Sequence, residues 1–478
     1  MSNVLDLADQ GVFLGERATG ATNLVQCVWV YNRAINLDGL RQFHHHLQRG
    51  RLARRIECSP LPFGRHRWVS PSDQSDLEIV TTPRPREEFD AWLSEQANTP
   101  LDAAHGPGWH LAVLPFTDGG AGVSLVISHC LTDGVGLCEA LADAASGRHD
   151  PINWPAAGSR PRRRALREDA RQTARDIPAV GRALVAAARL ARRSRDGAGQ
   201  ASVPTALSAR RDEPITLPTE TVFIDADEWD ARAQSLGGTS NTLLAGLVAR
   251  LAQRAGRLAA DGSATLAIPV NERTAGDTRS NAVRGFAITV DPAPATTDLR
   301  EIRAAIKQAL MRHQEVPDER WALLPVVPLL PKRVVRRMVS VATGGAATST
   351  SSNLGTVNPA VNRPDGTDAD YFAMKSLYPG MTKSTMQRTG GILALLVGRV
   401  HRQVFVSALG YQPGSINSND DLRQLLSSAV SDFSLTATTG WPCPEPVGGA
   451  AVSGPTISDR VYAIAHQANS PEPHDPTA

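Results

Sequence analysis

The stretch LVISHCLTDGVGLCEALADA, residues 125–144, sets one histidine at the end of an apolar run and an Asp-Gly pair four residues beyond it. GVSLVIS is apolar and rich in β-branched residues, so it reads as a strand that leaves its sheet near His129. An imidazole titrates near neutrality and can take a proton from a hydroxyl or amine attacking an acyl carbon. At a strand end it can face a cleft while its backbone stays anchored in the sheet. Asp133 is placed to brace the loop or to pair with a distant arginine, more readily than to reach the transferred proton. Gly134 permits a tight bend or a positive φ. Taken alone, a strand-end histidine is more often structural than catalytic. The H-x-x-x-D-G spacing after an apolar strand shifts that balance. Cys130 invites a thiol-nucleophile reading, but neighbours in an extended segment face opposite sides, which puts Cys130 in the core.

Other chemistry-bearing residues fit blander roles. His44, His45 and His46 are consecutive on a helix, point in different directions and do not converge on one ion, so no metal is expected. No glycine-rich phosphate loop follows a strand, so nucleotide chemistry has no support. The five cysteines are scattered, odd in number and without metal spacing, which suits a reducing, cytoplasmic setting. A net charge of +2 predicts no nucleic-acid partner. No window is apolar enough to span a membrane, and Asp6, Asp9, Glu16 and Arg17 interrupt any signal-peptide core.

The chain has 478 residues, too many for one ordinary core, so two lobes are expected. Around the histidine, strands and helices alternate. LVQCVWVYNR reads as a strand, LDGLRQFHHHLQRG and REEFDAWLSEQANT as helices, and HRWVSP and LEIVTT as short strands. GWHLAVLPF and AGVSLVISH form a hairpin about the Asp118-Gly119-Gly120 turn, and VGLCEALADAA is the helix after it. The second half repeats the plan. TETVFIDADEWDARA gives a strand and a helix. Asn241 can cap TSNTLLAGLVARLAQRAGRL, a strong helix. ATLAIPVNERT and VRGFAITVD are strands and DLREIRAAIKQALMRHQ a helix. Pro325, Pro328 and Pro331 deny the next apolar run a continuous helix. ATSTSSNLG is a loop or edge strand, ILALLVGRVHRQVFVSALGY two strands, and NDDLRQLLSSAVSDFSLT the last helix.

Between the halves, residues 160–195 hold twelve arginines against three acids. Leu166, Ala170, Ala174, Ile177, Leu184 and Ala188 keep helical spacing, although Pro178 and Gly181 should kink or break the helix. One reading is a solvated helix crossing between lobes. The other is a basic amphipathic helix on an anionic membrane surface or lipid aggregate. The expected organisation is therefore a first lobe over 1–158, an arginine-rich crossover and linker over 159–205, a second lobe over 206–441, and a mostly disordered tail over 442–478.

SHCLTDG resembles the active-site motif of a superfamily with several branches. It includes chloramphenicol acetyltransferase, peptide-synthetase condensation domains, polyketide-associated acyltransferases and the bacterial wax ester synthase/diacylglycerol acyltransferases. The common form has two histidines, three variable residues, then Asp-Gly; here Ser128 replaces the first histidine. TPLDAAHGPGWHLAVL is similar to the family's Leu-Asp…Gly-Pro-x-Trp strand start. TSNTLLAGLVARLAQR resembles the Asn-Asp helix of the wax ester synthases, with Thr242 where aspartate usually sits. IPVNERTAGDTRSNAVRGFAITVD resembles their Pro-Val-x-x-Arg…Gly-Asn segment, with Ser280-Asn281 in place of Gly-Asn. TSSNLGTVN resembles their Ser-Asn-Val/Leu-Gly-Pro segment, with Thr356 for proline, and LADQGVFLGE a degenerate Asp-x-x-Phe-Leu opening. The resemblance covers roughly residues 1–440, and only the histidine motif is individually specific.

The resemblance implies an α/β (α+β) fold of two chloramphenicol-acetyltransferase-like lobes, with mixed sheets flanked by helices and an active-site channel between them. It implies His129 as general base in mid-channel, with Asp133 and Gly134 completing the motif. Ser352 and Asn353 are the candidate oxyanion donors, against an ordinary serine/threonine-rich loop. Asn271, Arg273 and Asn281 are expected to hold the lobes in register. The implied activity is acyl transfer from a thioester, with acyl-CoA as co-substrate and no bound cofactor, to a lipid alcohol or diacylglycerol. A donor acyl carrier protein with a natural-product or glycolipid acceptor, and a silent lipid- or partner-binding relative, stay open. So does peripheral membrane or lipid-droplet contact through Arg160–Arg195.

Overall fold

A computed structural model describes residues 2–71, 75–148, 152–196, 213–274, 276–315, 321–336 and 348–443. The strands are β1 (Leu24–Tyr31), β2 (Arg55–Glu57), β3 (Arg67–Val69), β4 (Leu77–Ile79), β5 (Trp109–Pro115), β6 (Ala121–Ser128), β7 (Thr219–Asp225), β8 (Ala264–Asn271), β9 (Val283–Val290), β10 (Thr348–Thr356), β11 (Tyr371–Leu377), β12 (Ile392–Val400), β13 (Gln403–Tyr411) and β14 (Thr438–Thr439). The helices are α1 (Leu7–Thr19), α2 (Leu37–Leu47), α3 (Phe89–Ala97), α4 (Gly134–Ala145), α5 (Arg162–Asp196), α6 (Ala226–Ser235), α7 (Ser240–Arg254), α8 (Arg300–Glu315), α9 (Lys383–Thr389) and α10 (Asn419–Asp432).

Two mixed sheets carry the molecule, as the family resemblance implies. The first has the order β11-β1-β6-β5-β4 and the second β14-β7-β13-β12-β10-β8-β9. The β5–β6 hairpin forms as expected, with Gly119 at a positive φ and Asp118 Oδ1 accepting from Gly120 N at 2.8 Å. Every residue of β1 and β6 is buried, so both strands are near-continuous apolar runs rather than alternating, and the buried Gln26 Nε2 donates to Ser124 Oγ at 3.0 Å. The first core gathers Trp29, Phe43, Phe89 and Trp92 around this sheet. The second packs the apolar stripe of α7 and the inner face of α10 on the larger sheet.

Four expectations need correction. The expected second lobe is not self-contained: β11 pairs antiparallel with β1, Leu24 opposite Leu377, and so completes the first sheet. Its buried Phe372, Ala373 and Met374 share the first core, because an exposed edge of β1 would leave that apolar strand uncovered. ATSTSSNLG is neither a loop nor an edge. Its strand β10 runs parallel to both β8 and β12, and its small side chains suit an interior strand with Ser349 and Ser351 buried. The crossover is one helix, α5, that runs through Pro178. Pro178 and Ala174, whose carbonyl loses its partner, are both exposed, so water can satisfy the freed group. Lastly, the apolar stripe of α5 does not pack inward: Ala170, Ala174, Ile177, Leu184 and Ala188 are exposed, whereas Ala165, Asp169 and Ala183 are buried. The linker beyond residue 196 and the tail beyond residue 443 lie outside the described residues.

Candidate active site at the His129 turn

The chain leaves β6 at Ser128, turns through His129–Thr132 and enters α4. The turn is pinned at each step. Ser128 N donates to Gly108 O at 2.9 Å, and His129 N to Asn23 O at 2.8 Å. Leu131 N closes the turn on Ser128 O at 2.9 Å, and Ser128 Oγ accepts from Cys130 N at 3.2 Å. The residue that departs from the two-histidine pattern is thus fully buried and works as a turn former. The His129 side chain differs: it is half-buried, and neither ring nitrogen forms a hydrogen bond among the described residues, although Nδ1 is buried.

Asp133 does not reach toward His129. Its Oδ1 caps α4 by accepting from Gly136 N at 2.7 Å. Its Oδ2 accepts from Arg273 Nη2 at 2.7 Å and from Ala282 N at 2.8 Å. Both partners lie in the second half of the chain, and the ion pair is almost wholly buried, at 1% and 4% side-chain exposure. The anticipated pairing with a distant arginine is therefore present. Gly134 does not adopt a positive φ; it opens α4. Its missing side chain makes room instead, since a Cβ there would lie 2.9 Å from Leu354 Cδ2 of β10. Gly136 does the same for Arg273, 2.9 Å from Nη2.

The loop 278–282 is held from the first lobe by several hydrogen bonds, Asp133 N donating to Ser280 O at 2.8 Å among them. Besides the Asp133 contacts, Asp9 Oδ2 accepts from Ser280 N at 3.0 Å, and Asp9 Oδ1 from Asn281 N at 2.8 Å. Asn281 Nδ2 donates to His129 O at 3.1 Å. Arg54 Nη1 donates to Thr278 O at 2.6 Å, while its Nη2 and Nε bind Leu131 O. Burial pushes the Asp9 carboxyl up, against the hydrogen bonds from residues 280 and 281 that pull it down. Burial likewise pulls the Arg54 guanidinium down to about 10. Arg273 and Asn281 thus each bond to a residue of the first lobe, Asp133 and His129. Asn271 does not: it is exposed, and its Oδ1 accepts only from Arg273 N at 3.0 Å, a local turn that presents Arg273.

Cys130 is buried, with Sγ donating to Glu16 Oε2 at 3.1 Å. Burial and the adjoining carboxyl push its thiol well up, which keeps it protonated and unreactive. Glu16 also accepts from Asn23 N at 2.8 Å, so it supports the residue that holds His129 N.

Ser352 and Asn353 sit on β10 beside Leu354, the residue that touches the Gly134 position. Alternation along the strand puts Ser352 on the Leu354 face and Asn353 on the other. Asn353 Nδ2 donates to Asn241 Oδ1 at 2.6 Å, and Asn353 Oδ1 accepts from Gly355 N at 2.8 Å. Asn241 is thus not the helix cap. Thr239 caps α7, and Thr242 completes a capping box, so the threonine at the usual aspartate position still serves the helix start. Two surface clefts, of about 560 and 310 Å³, lie away from His129; the smaller includes Asp9 and Thr278 from the underside of the clamp. The consecutive histidines diverge: His44 meets the Trp109 ring edge-on, while His46 Nδ1 lies 2.9 Å from Ala144 O.

Sequence reasoning missed Asp9, Arg54 and Gly136. The second glycine of DGVG was the one legible signal, because glycine in a helix's first turn needs a packing reason.

Residues 39–223, which include the His129 turn, match the family model described as the wax ester synthase/diacylglycerol acyltransferase catalytic domain. No curated protein matches the chain. Among solved structures, it is similar to polyketide synthase associated protein 5 from Mycobacterium tuberculosis, at 15% identity and a TM-score of 0.53, over 88% of this chain and 97% of that one. It is also similar to the first condensation domain of the calcium-dependent antibiotic synthetase, at 15% identity and a TM-score of 0.54, over 91% and 96%. The chain thus has the two-lobed condensation-domain fold, and the part of it that carries the His129 turn is similar to an acyltransferase catalytic domain.

Proposed function

We propose that the protein transfers an acyl group from a thioester to a hydroxyl acceptor, with His129 as general base. The observation that carries this reading is the contrast within one residue. The His129 backbone is bound on both sides, through Asn23 O and Asn281 Nδ2, while its ring is left without a hydrogen bond among the described residues. With Nδ1 buried, Nε2 is the nitrogen assigned to the proton transfer. It takes the acceptor hydroxyl proton as the oxygen attacks the thioester carbon. The tetrahedral oxyanion collapses, the C–S bond breaks, and the imidazolium returns the proton to the leaving thiolate. No acyl-enzyme is required. Ser352, on the strand face that meets Gly134, is the better oxyanion donor candidate, since Asn353 turns toward Asn241.

The family match over 39–223 supports a lipid alcohol or diacylglycerol as acceptor, and the proposal takes acyl-CoA as donor and the cytoplasm as setting. The condensation-domain fold supports a second reading, with an acyl carrier protein as donor. The test is thiol release from short- to long-chain acyl-CoA thioesters, with and without long-chain alcohol or diacylglycerol, for wild type and His129→Ala. Acceptor-dependent release that drops by about 10²–10⁴-fold in the variant is expected. Release unchanged in the variant would remove His129 from the chemistry. Release only from acyl carrier protein would select the second reading.

A further inference from the structure

We infer that the outer face of α5, with the neighbouring 329–336 segment, is a docking surface for an anionic lipid interface. This stands independently of the acyl-transfer reading. The helix packs against the molecule through Asp169 and the small side chains of Ala165 and Ala183. Asp169 is fully buried and accepts from Ser59 Oγ at 2.7 Å, Arg67 Nε at 3.1 Å and Arg160 Nη1 at 3.0 Å. Asp176 pairs with Arg65 at 3.3 Å, and Glu168 with Arg164 at 2.8 Å. Glu168, Asp169 and Asp176 are thereby each engaged by an arginine.

What faces outward is apolar and basic. Ile177, Gly181, Leu184 and Ala188 recur at helical spacing, and Ala170 and Ala174 extend the same stripe. Ile177 is 64% exposed, Leu184 55% and Val185 52%. Arg171, Arg175, Arg182 and Arg189 form an exposed row about a quarter turn away. The 3-10 segment Trp321–Leu329 packs against α5, and Leu329 and Val334 are exposed beside Lys332 and Arg333. Five of the seven large hydrophobic side chains exposed among the described residues therefore lie on these two adjoining elements, so the patch is not a random scatter.

An aqueous crossover helix gains nothing from turning its apolar stripe outward while its acids pair with arginines. A helix lying in the headgroup region gains from both: apolar side chains enter the acyl boundary and arginines meet lipid phosphates. No described helix is long and apolar enough to cross a membrane, which fits a helix lying on the surface.

The experiment is vesicle flotation of the full chain at low and physiological salt. Phosphatidylcholine vesicles are compared with phosphatidylcholine–phosphatidylglycerol mixtures. Wild type is expected to float with the anionic vesicles and to lose binding as salt rises. Ile177→Glu combined with Leu184→Glu should cut binding by about tenfold or more. Arg171→Gln, Arg175→Gln and Arg182→Gln together should erase the preference for phosphatidylglycerol. Melting temperature and thiol release with a short-chain, water-soluble acceptor should stay at wild-type values in both variants. Absence of wild-type binding at low salt, or equal binding by wild type and both variants, would overturn the inference. So would capture of an acidic carrier protein through the same arginines without vesicle binding.

Discussion

His129 shows how a backbone can be fixed so that a side chain is left available. Its amide and carbonyl are tied to Asn23 and Asn281, and its ring adds no hydrogen bond to the fold among the described residues. His129→Ala is therefore expected to shift the melting temperature by no more than an ordinary surface substitution, within about 0.5 kcal/mol, while turnover is lost. A calorimetric loss like that of a core truncation would make the histidine structural. Ser128 and Cys130, on either side, carry the local structure instead: one closes the turn, and the other is a protonated thiol against Glu16.

At the scale of elements, the start of α4 and the docking of α1 matter most. Gly136→Ala would place a methyl 2.9 Å from Arg273 Nη2, inside the buried ion pair. Helix propensity alone favours alanine, so a stabilised variant would be the outcome without tertiary contact. With Arg273 in the way, a loss of about 1–3 kcal/mol is expected in urea unfolding. The first helix brings Asp9 to the clamp and is itself held by His66. His66 N donates to Gln10 Oε1 at 3.1 Å, and the His66 ring packs edge-on against Phe13. Burial pulls the His66 imidazole down to about 4, and its Nδ1 accepts from Ser59 N, which requires the neutral ring. The unfolded chain therefore binds the extra proton between about pH 6.5 and 4. Stability through His66 is complete above that window and falls as pH drops through it, by at most about 3 kcal/mol. Unfolding titrations at several pH values should show this slope in wild type and its loss in His66→Gln.

Across the whole molecule, the two halves are joined by a shared sheet and a buried polar clamp. Strand β11 makes the first sheet depend on the second half, and the 278–282 loop depends on Asp9, Arg54, Asp133 and the His129 turn. Asp133→Ala would strand Arg273 in the interior and free two backbone amides, so a loss of about 3–5 kcal/mol is expected. Arg273→Ala leaves the reciprocal carboxylate. The double variant should cost clearly less than the sum of the singles, because no unpaired charge remains. Additive costs in a double-mutant cycle by urea unfolding would show that the pair does not act as a unit.

The sequence by itself determined the elements whose periodicity is strong: the β5–β6 hairpin, α7, and a histidine at the point where β6 ends; the mixed sheets came only as what the family resemblance implies. It also offered two roles for Asp133, bracing the loop or pairing with a distant arginine, because H-x-x-x-D-G places the carboxylate past the turn. Only the tertiary structure decided which cation that was. Arg273, Asp9 and Arg54 lie far apart in the chain, and nothing local distinguishes them from the other arginines and aspartates. β11 was illegible for the same reason: YFAMKSL has no strict alternation and becomes a strand because β1 has an open edge. The orientation of α5 was legible only in part. Its spacing predicts an apolar stripe, and the usual rule turns such a stripe inward. Here Asp169 and Asp176 find Arg65, Arg67 and Arg160 on the body and Ala165 and Ala183 pack on the same side, so that face docks and the stripe with Ile177 and Leu184 is left outside.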